Sequence, residues 1–77
     1  MAEPQENPVR KVWIMGADTV RILCEDGGIT GYLARDGSLV AEETDPSVST
    51  WNGWRAFQRA YAYAQAQGWA IQTTLVG

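Results

Sequence analysis

A chain of 77 residues with one cysteine and no histidine lacks the staples on which many small domains rely. An internal disulfide needs a second thiol, and a Cys/His zinc site needs ligands that are not there. A chain this short buries only ~60% of the surface its unfolded form exposes. The core must therefore come from hydrophobic side chains alone. Four Trp, three Tyr and one Phe are the largest available, and each such ring can bury ~150–250 Å². The composition predicts one thin-cored domain carried by its aromatics.

The first half reads as strands. Residues 9–15 (VRKVWIM) are rich in β-branched and aromatic side chains and close on Gly16-Ala17-Asp18. Residues 19–25 (TVRILCE) alternate, with Val20, Ile22 and Cys24 on one face. Asp26-Gly27-Gly28 is a turn signal, because glycine takes positive φ at little cost. Residues 29–35 (ITGYLAR) make a third strand, Asp36-Gly37 reads as a type I′ hairpin pair, and residues 38–42 (SLVAE) complete the hairpin. Every connection is short enough for antiparallel neighbours. Residues 69–76 (WAIQTTLV) alternate as a last strand, with Trp69, Ile71 and Leu75 on one face. Its pairing, beside the first strand or the fourth, is open.

Between these lies TWNGWRAFQRAYAYAQAQGW, residues 50–69. At ~100° per residue, Trp54, Phe57, Tyr61 and Ala64 fall on one stripe, which predicts a helix near 50–67 with that stripe inward. Gly53 sits inside this helix at a cost of about 1 kcal/mol relative to Ala, and Gly68 ends it in the left-handed conformation. Asp45-Pro46 reads as a possible helical turn in the connector before it. The expected fold is α+β: a four-stranded antiparallel meander plus a C-terminal strand, one amphipathic helix packed on the sheet, order β-β-β-β-α-β. Residues 1–8 read as a flexible N-terminal tail and 9–77 as a single domain.

Catalytic equipment is sparse. Without histidine, the usual near-neutral acid–base and the Ser/His and Cys/His nucleophile pairs cannot be built. Cys24 lies among apolar residues of a strand and reads as core rather than nucleophile. Glu25-Asp26 could supply paired carboxylates, but neighbours in a strand face opposite ways. The glycines are dispersed, with no phosphate-binding loop, and Glu42-Glu43-Asp45 lacks the spaced ligands of a calcium loop. The chain is expected to be no enzyme and to need no cofactor and no metal. No apolar run reaches the ~18 residues of a membrane span, and residues 1–9 (MAEPQENPV) lack the basic start and apolar stretch of a secretory signal. A cytoplasmic protein with no membrane association is the expectation.

Two surfaces stand out. The outward face of the expected helix carries Arg55, Arg59 and Tyr63 at i, i+4 and i+8. Two arginines in line repel slightly, and Arg55 sits at the positive end of the helix dipole, so helix stability does not ask for them. Arg and Tyr are frequent interface anchors. With the acidic connector Glu42, Glu43 and Asp45, they suggest docking on another protein by electrostatic complementarity; the ordinary reading is a solvated face whose arginines pair with those carboxylates. The second surface is the sheet face with Lys11, Trp13, Arg21 and Tyr32, a basic-aromatic set of the kind on which single-stranded nucleic acid stacks. The net charge of −3 works against phosphate binding, and Trp13 could equally turn inward as core. Trp51, Trp54 and Trp69 bracket the helix ends and read as a hydrophobic clamp rather than a ligand cage.

The sequence thus predicts a small non-catalytic protein-binding domain that docks on or occludes a larger macromolecular complex, with a single-stranded nucleic-acid-binding domain as the alternative. In size, acidity and lack of catalytic equipment, it resembles the small inhibitors and regulators of phages and mobile elements, anti-CRISPR proteins among them. An uncovered edge strand or an exposed Trp would also allow a homodimer.

Overall fold

The computed structural model describes residues 10–75, with side chains placed through Gln72. The expected tail at residues 1–8, and the placement of Leu75 on a face with Trp69 and Ile71, lie outside what is described. The fold is α+β: a sheet of several strands and one helix. The strands are β1 (Lys11–Gly16), β2 (Thr19–Asp26), β3 (Ile29–Leu33), β4 (Leu39–Val40), β5 (Trp51–Asn52) and β6 (Ala70–Leu75), with α1 (Ala56–Gln67) before β6. The spatial order is β4-β3-β2-β1-β6, and β5 pairs with β2 off that path.

The meander follows from its turns. Gly27 and Gly28 have φ of 63° and 87°, and Asp26 pairs with Ile29 across them. Positive φ at both central positions is the type I′ requirement, so this turn, not Asp36-Gly37, is the two-residue hairpin. Only Gly37 of the second pair has positive φ, at 90°. There the Gly37 amide donates to Ala34 O at 2.9 Å and the Ala34 amide to Ser38 O at 2.8 Å. That is the longer loop, a type I turn followed by a left-handed residue. Asp36 Oδ1 accepts from the Ser38 amide at 2.9 Å and the Ser38 hydroxyl at 2.6 Å, which pins the loop. β4 is correspondingly short, because the chain turns away after Val40.

β6 settles its open pairing by lying parallel beside β1, with a register shift between Val12 and Trp13. A parallel neighbour needs a crossover. β5 and α1 supply it: β5 runs antiparallel to β2 at Thr19–Asn52 and Val20–Trp51, and the helix then carries the chain over the sheet.

The helix begins at Ala56, six residues later than the periodicity suggested. Residues 51–52 are strand, Gly53 turns with φ 83°, and Arg55 caps the helix with φ 66°. The inward stripe keeps Phe57 and Ala64 of the expected set and replaces Trp54 and Tyr61 with Ala56 and Ala60. Ala56, Ala60 and Ala64 are buried, with Phe57 half-buried beside them, while Trp54 is 82% exposed and Tyr61 37% exposed. The Asp45-Pro46 segment makes a single turn that does not continue into a helix: the Val48 amide donates to Asp45 O at 3.0 Å. Asp45 Oδ1 caps it, accepting from the Ser47 amide at 2.8 Å and the Ser47 hydroxyl at 2.6 Å, in the bend that brings Val48 against Ala34.

The core is aliphatic. Val12, Ile14, Val20, Ile22, Cys24 and Leu33 of the sheet meet the three helix alanines, and no aromatic is among the buried residues. The rings that composition assigned to the core line its rim: Trp51, Phe57 and Trp69 pack against it half-buried. Alternation puts Val20, Ile22 and Cys24 inward as expected, with Val12 and Ile14 of β1 beside them. Ile29, on the same face, lies beyond the helix and is 64% exposed.

This packing predicts an inverted mutational pattern. Trp54→Ala will cost no more than about 1 kcal/mol, because an 82% exposed side chain leaves no cavity behind. Ala60→Leu will cost about 1–3 kcal/mol by overpacking the helix–sheet seam. Urea unfolding of the two variants checks both.

Candidate functional site

The expected ridge of Arg55, Arg59 and Tyr63 does not form one line, because Arg55 is outside the helix. Arg55 takes the left-handed conformation, which costs an ordinary L-residue about 1–2 kcal/mol, and its side chain makes no cap hydrogen bond. Its carbonyl starts the helix by accepting from the Arg59 amide at 2.9 Å. With Gly53 and Arg55 both left-handed, the Trp54 between them projects from the surface. The Arg55 guanidinium lies over the Trp54 ring, 4.3 Å from its centroid. An exposed pair of this kind is worth about 0.5–1 kcal/mol.

The other two ridge residues are engaged by their own chain. Arg59 donates through Nη2 to Asn52 O at 2.6 Å, which ties the helix to β5. Tyr63 stands between Trp51 and Trp69, with ring centroids at 5.6 Å and 5.9 Å. The Arg10 guanidinium extends this row over Trp69 at 5.2 Å. Trp51 and Trp69 are thus a clamp on Tyr63, while Trp54, grouped with them in sequence, stands apart.

The acidic connector does not join the ridge. Glu43 Oε2 meets Arg21 Nη1 at 3.0 Å, and Arg21 is on the sheet face away from the helix. Asp45 is the turn residue bound to Ser47, and those hydrogen bonds hold its carboxyl below the usual value. Glu42 is exposed, and its backbone carbonyl accepts from the Asp45 amide at 3.1 Å. Glu43 is therefore across the sheet from Arg59 and Tyr63, and among the described residues no hydrogen bond or ion pair joins the connector to the ridge.

Lys11, Trp13, Arg21 and Tyr32 do share a face. The strand registers align Trp13, Leu23, Tyr32 and Val40 in one row across four strands. Lys11 is opposite Glu25 on one side of the row, and Met15 opposite Arg21 on the other. Trp13 points outward, half-buried, so its inward reading is excluded. Cation and carboxylate alternate here, and no basic track results.

Among the described residues, two surface hollows are defined. One of about 340 Å³ is lined by Arg10, Asp26, Ile29 and Leu39 at the end of the inner sheet face. Arg10 Nε donates to Asp26 Oδ2 at 3.0 Å across it. The other, about 160 Å³, is lined by Met15, Gly16, Arg21, Tyr32 and Glu43. Glu25 and Asp26 face opposite sides of the sheet, so they do not converge on a common site. Among the described residues, no group of three or more potential ligands is placed to hold a metal ion, and no helix is long and apolar enough to cross a membrane.

The residue missed in sequence is Trp54. Its spacing from Phe57 and Tyr61 suits a helix, which placed it inward. The preceding Asn52-Gly53, a strong turn dipeptide, is the signal that would have set it outside. From Thr50 onward the chain carries Arg55 and Arg59 and no carboxylate side chain, so this end is basic within an acidic protein.

No protein-family model matches the chain, and no curated protein or solved structure matches it.

Cys24 is buried beneath the sheet, and desolvation pushes its thiol up to about 11, against the lowering pull of Arg10. A thiol raised from 9.0 in the folded state contributes stability that is present below pH 9.0 and is lost as the pH climbs toward about 11. Cys24 will therefore resist a thiol reagent at neutral pH until denaturant is added. Fast labelling of the native protein would contradict this packing.

Proposed function

We propose that the protein is a small non-catalytic binding domain that docks on another protein through the Trp54–Arg55 knuckle, with Arg59 behind it. One observation carries the reading: a tryptophan 82% exposed is held out by a non-glycine residue in the left-handed conformation, and that residue's guanidinium stacks on it. The exposed indole buries little apolar surface, its stacking with Arg55 returns only about 0.5–1 kcal/mol, and Arg at φ 66° costs stability. Trp and Arg are the residues that most often dominate interface energies once desolvated. The missing carboxylates from Thr50 onward favour a partner with an acidic rim around an apolar socket. Docking of this kind would let the chain occlude a site on a larger complex.

The alternative is single-stranded nucleic acid on Lys11, Trp13, Arg21 and Tyr32, favoured by their common face. Against it, Arg21 is held by Glu43, and Leu23 separates the two rings in the row. Phosphate binding would weaken steeply with salt.

Binding and stability can be separated at Arg55. Arg55→Gly removes the guanidinium and the backbone cost together, so its melting temperature will equal or exceed that of wild type. Trp54→Ala and Arg55→Gly will both lose a protein captured stoichiometrically by the wild type after nuclease treatment, by about 2 kcal/mol or more as for interface anchors. Full retention by both variants would reject the knuckle as the docking site.

A further inference from the structure

We infer that the open sheet face is where two copies of this chain meet, independently of what the Trp54 knuckle binds. The helix covers the inner face only. On the other, the row Trp13, Leu23, Tyr32 and Val40 runs across β1 to β4 with every member half-buried. Glu25 and Arg21 flank this row on β2, four residues apart and on the same face. At ~3.4 Å per residue they are about 14 Å apart, too far to pair within one copy.

A two-fold axis along the row changes that. It places Trp13, Leu23 and Tyr32 over their own counterparts and exchanges the flanking positions. Glu25 of one copy then faces Arg21 of the other, twice, and the Lys11 stem faces Met15. The interface is isologous and closes at two copies. Arg21 Nη1 is already on Glu43, so the guanidinium would bridge that carboxylate and the incoming Glu25. β2 lies at the centre of the sheet order, where the twist between facing sheets misaligns the pairs least.

The face is small. Four strands and five residue positions span roughly 19 Å by 17 Å. That is about 300 Å² per copy, well below the ~800 Å² that a stable complex buries on each partner. Association is therefore weak and concentration-dependent, and the charge pattern supplies its specificity rather than its strength.

The test uses two charge reversals made separately, Arg21→Glu and Glu25→Arg. Each homodimer would set two like-charge pairs face to face, so each variant will dimerise about ten-fold more weakly than wild type in sedimentation velocity up to ~1 mM. Mixed one to one, both pairs become opposite in charge, and the dimer will return to within about three-fold of the wild-type constant. No rearrangement inside a single copy produces that rescue. Leu23→Gln leaves the charges and inner core in place and will also abolish dimerisation; far-UV spectra and melting curves check that each variant is folded. If Arg21→Glu fails to fold, Leu23→Gln and Glu25→Arg decide: dimerisation unaffected by both overturns the inference. A wild type that remains monomeric at ~1 mM, a mixture no more associated than its components, or a face that instead binds a single-stranded oligonucleotide lost with Trp13→Ala would each overturn it as well.

Discussion

The close contact between three alanines of the helix and the aliphatic inner face of the sheet organises this protein. Ala56, Ala60 and Ala64 add almost no side chain to the seam, so the helix backbone can lie near Val12, Ile14, Val20 and Ile22. Small residues at a packing seam leave no room for rings, and overpacking there is costly. The aromatics are therefore displaced to the rim, where Trp51, Phe57 and Trp69 pack against the core, Tyr63 bridges the two tryptophans and Arg10 covers the end of the row. With one cysteine and no histidine to build a disulfide or a Cys/His zinc site, this rim does much of the work of excluding water from a thin core.

The same geometry explains which parts of the fold were legible in the sequence. The meander was, because alternation and glycine turns are local signals: Val20, Ile22 and Cys24 point inward as their spacing requires, and Gly27-Gly28 turns the chain. The start of the helix was not. Trp54 satisfies the helical period with Phe57, Tyr61 and Ala64, and rings are more hydrophobic than methyl groups, so the pattern turns Trp54 and Tyr61 inward where the structure buries Ala56 and Ala60. Which stripe faces inward depends on how near the sheet comes, and that is a tertiary fact. The position of β6 was hidden for a related reason: a parallel neighbour of β1 follows from where the helix lands, not from any short turn.

For the candidate site, residue types were more legible than their grouping. Arg55, Arg59 and Tyr63 looked equivalent at i, i+4 and i+8, yet they have three different roles. Arg55 stacks on an exposed indole, Arg59 ties the helix to β5, and Tyr63 is clamped between two tryptophans. The difference begins with one backbone dihedral, at Arg55, which no composition or period encodes. The acidic connector was misplaced in a similar way, since Glu43 follows Arg21 to the opposite face of the sheet.

The two proposed surfaces are compatible because the sheet separates them. The knuckle leads into the helix on one side, and the Trp13–Leu23–Tyr32 row is on the other. A dimer formed through the outer sheet face would leave both knuckles, which lead into the helix, outside the interface. Two weak sites joined in one particle gain effective concentration on a partner that repeats its own binding site, and gain nothing on a solitary one. Weak self-association would then be a means of selecting among targets. The monomer would sample single sites briefly, while a repeated or symmetric complex would hold the dimer together by engaging both knuckles. Binding to such a target and dimerisation are thermodynamically linked, each strengthening the other by the same factor. An interface too small to persist alone would then be completed by the partner.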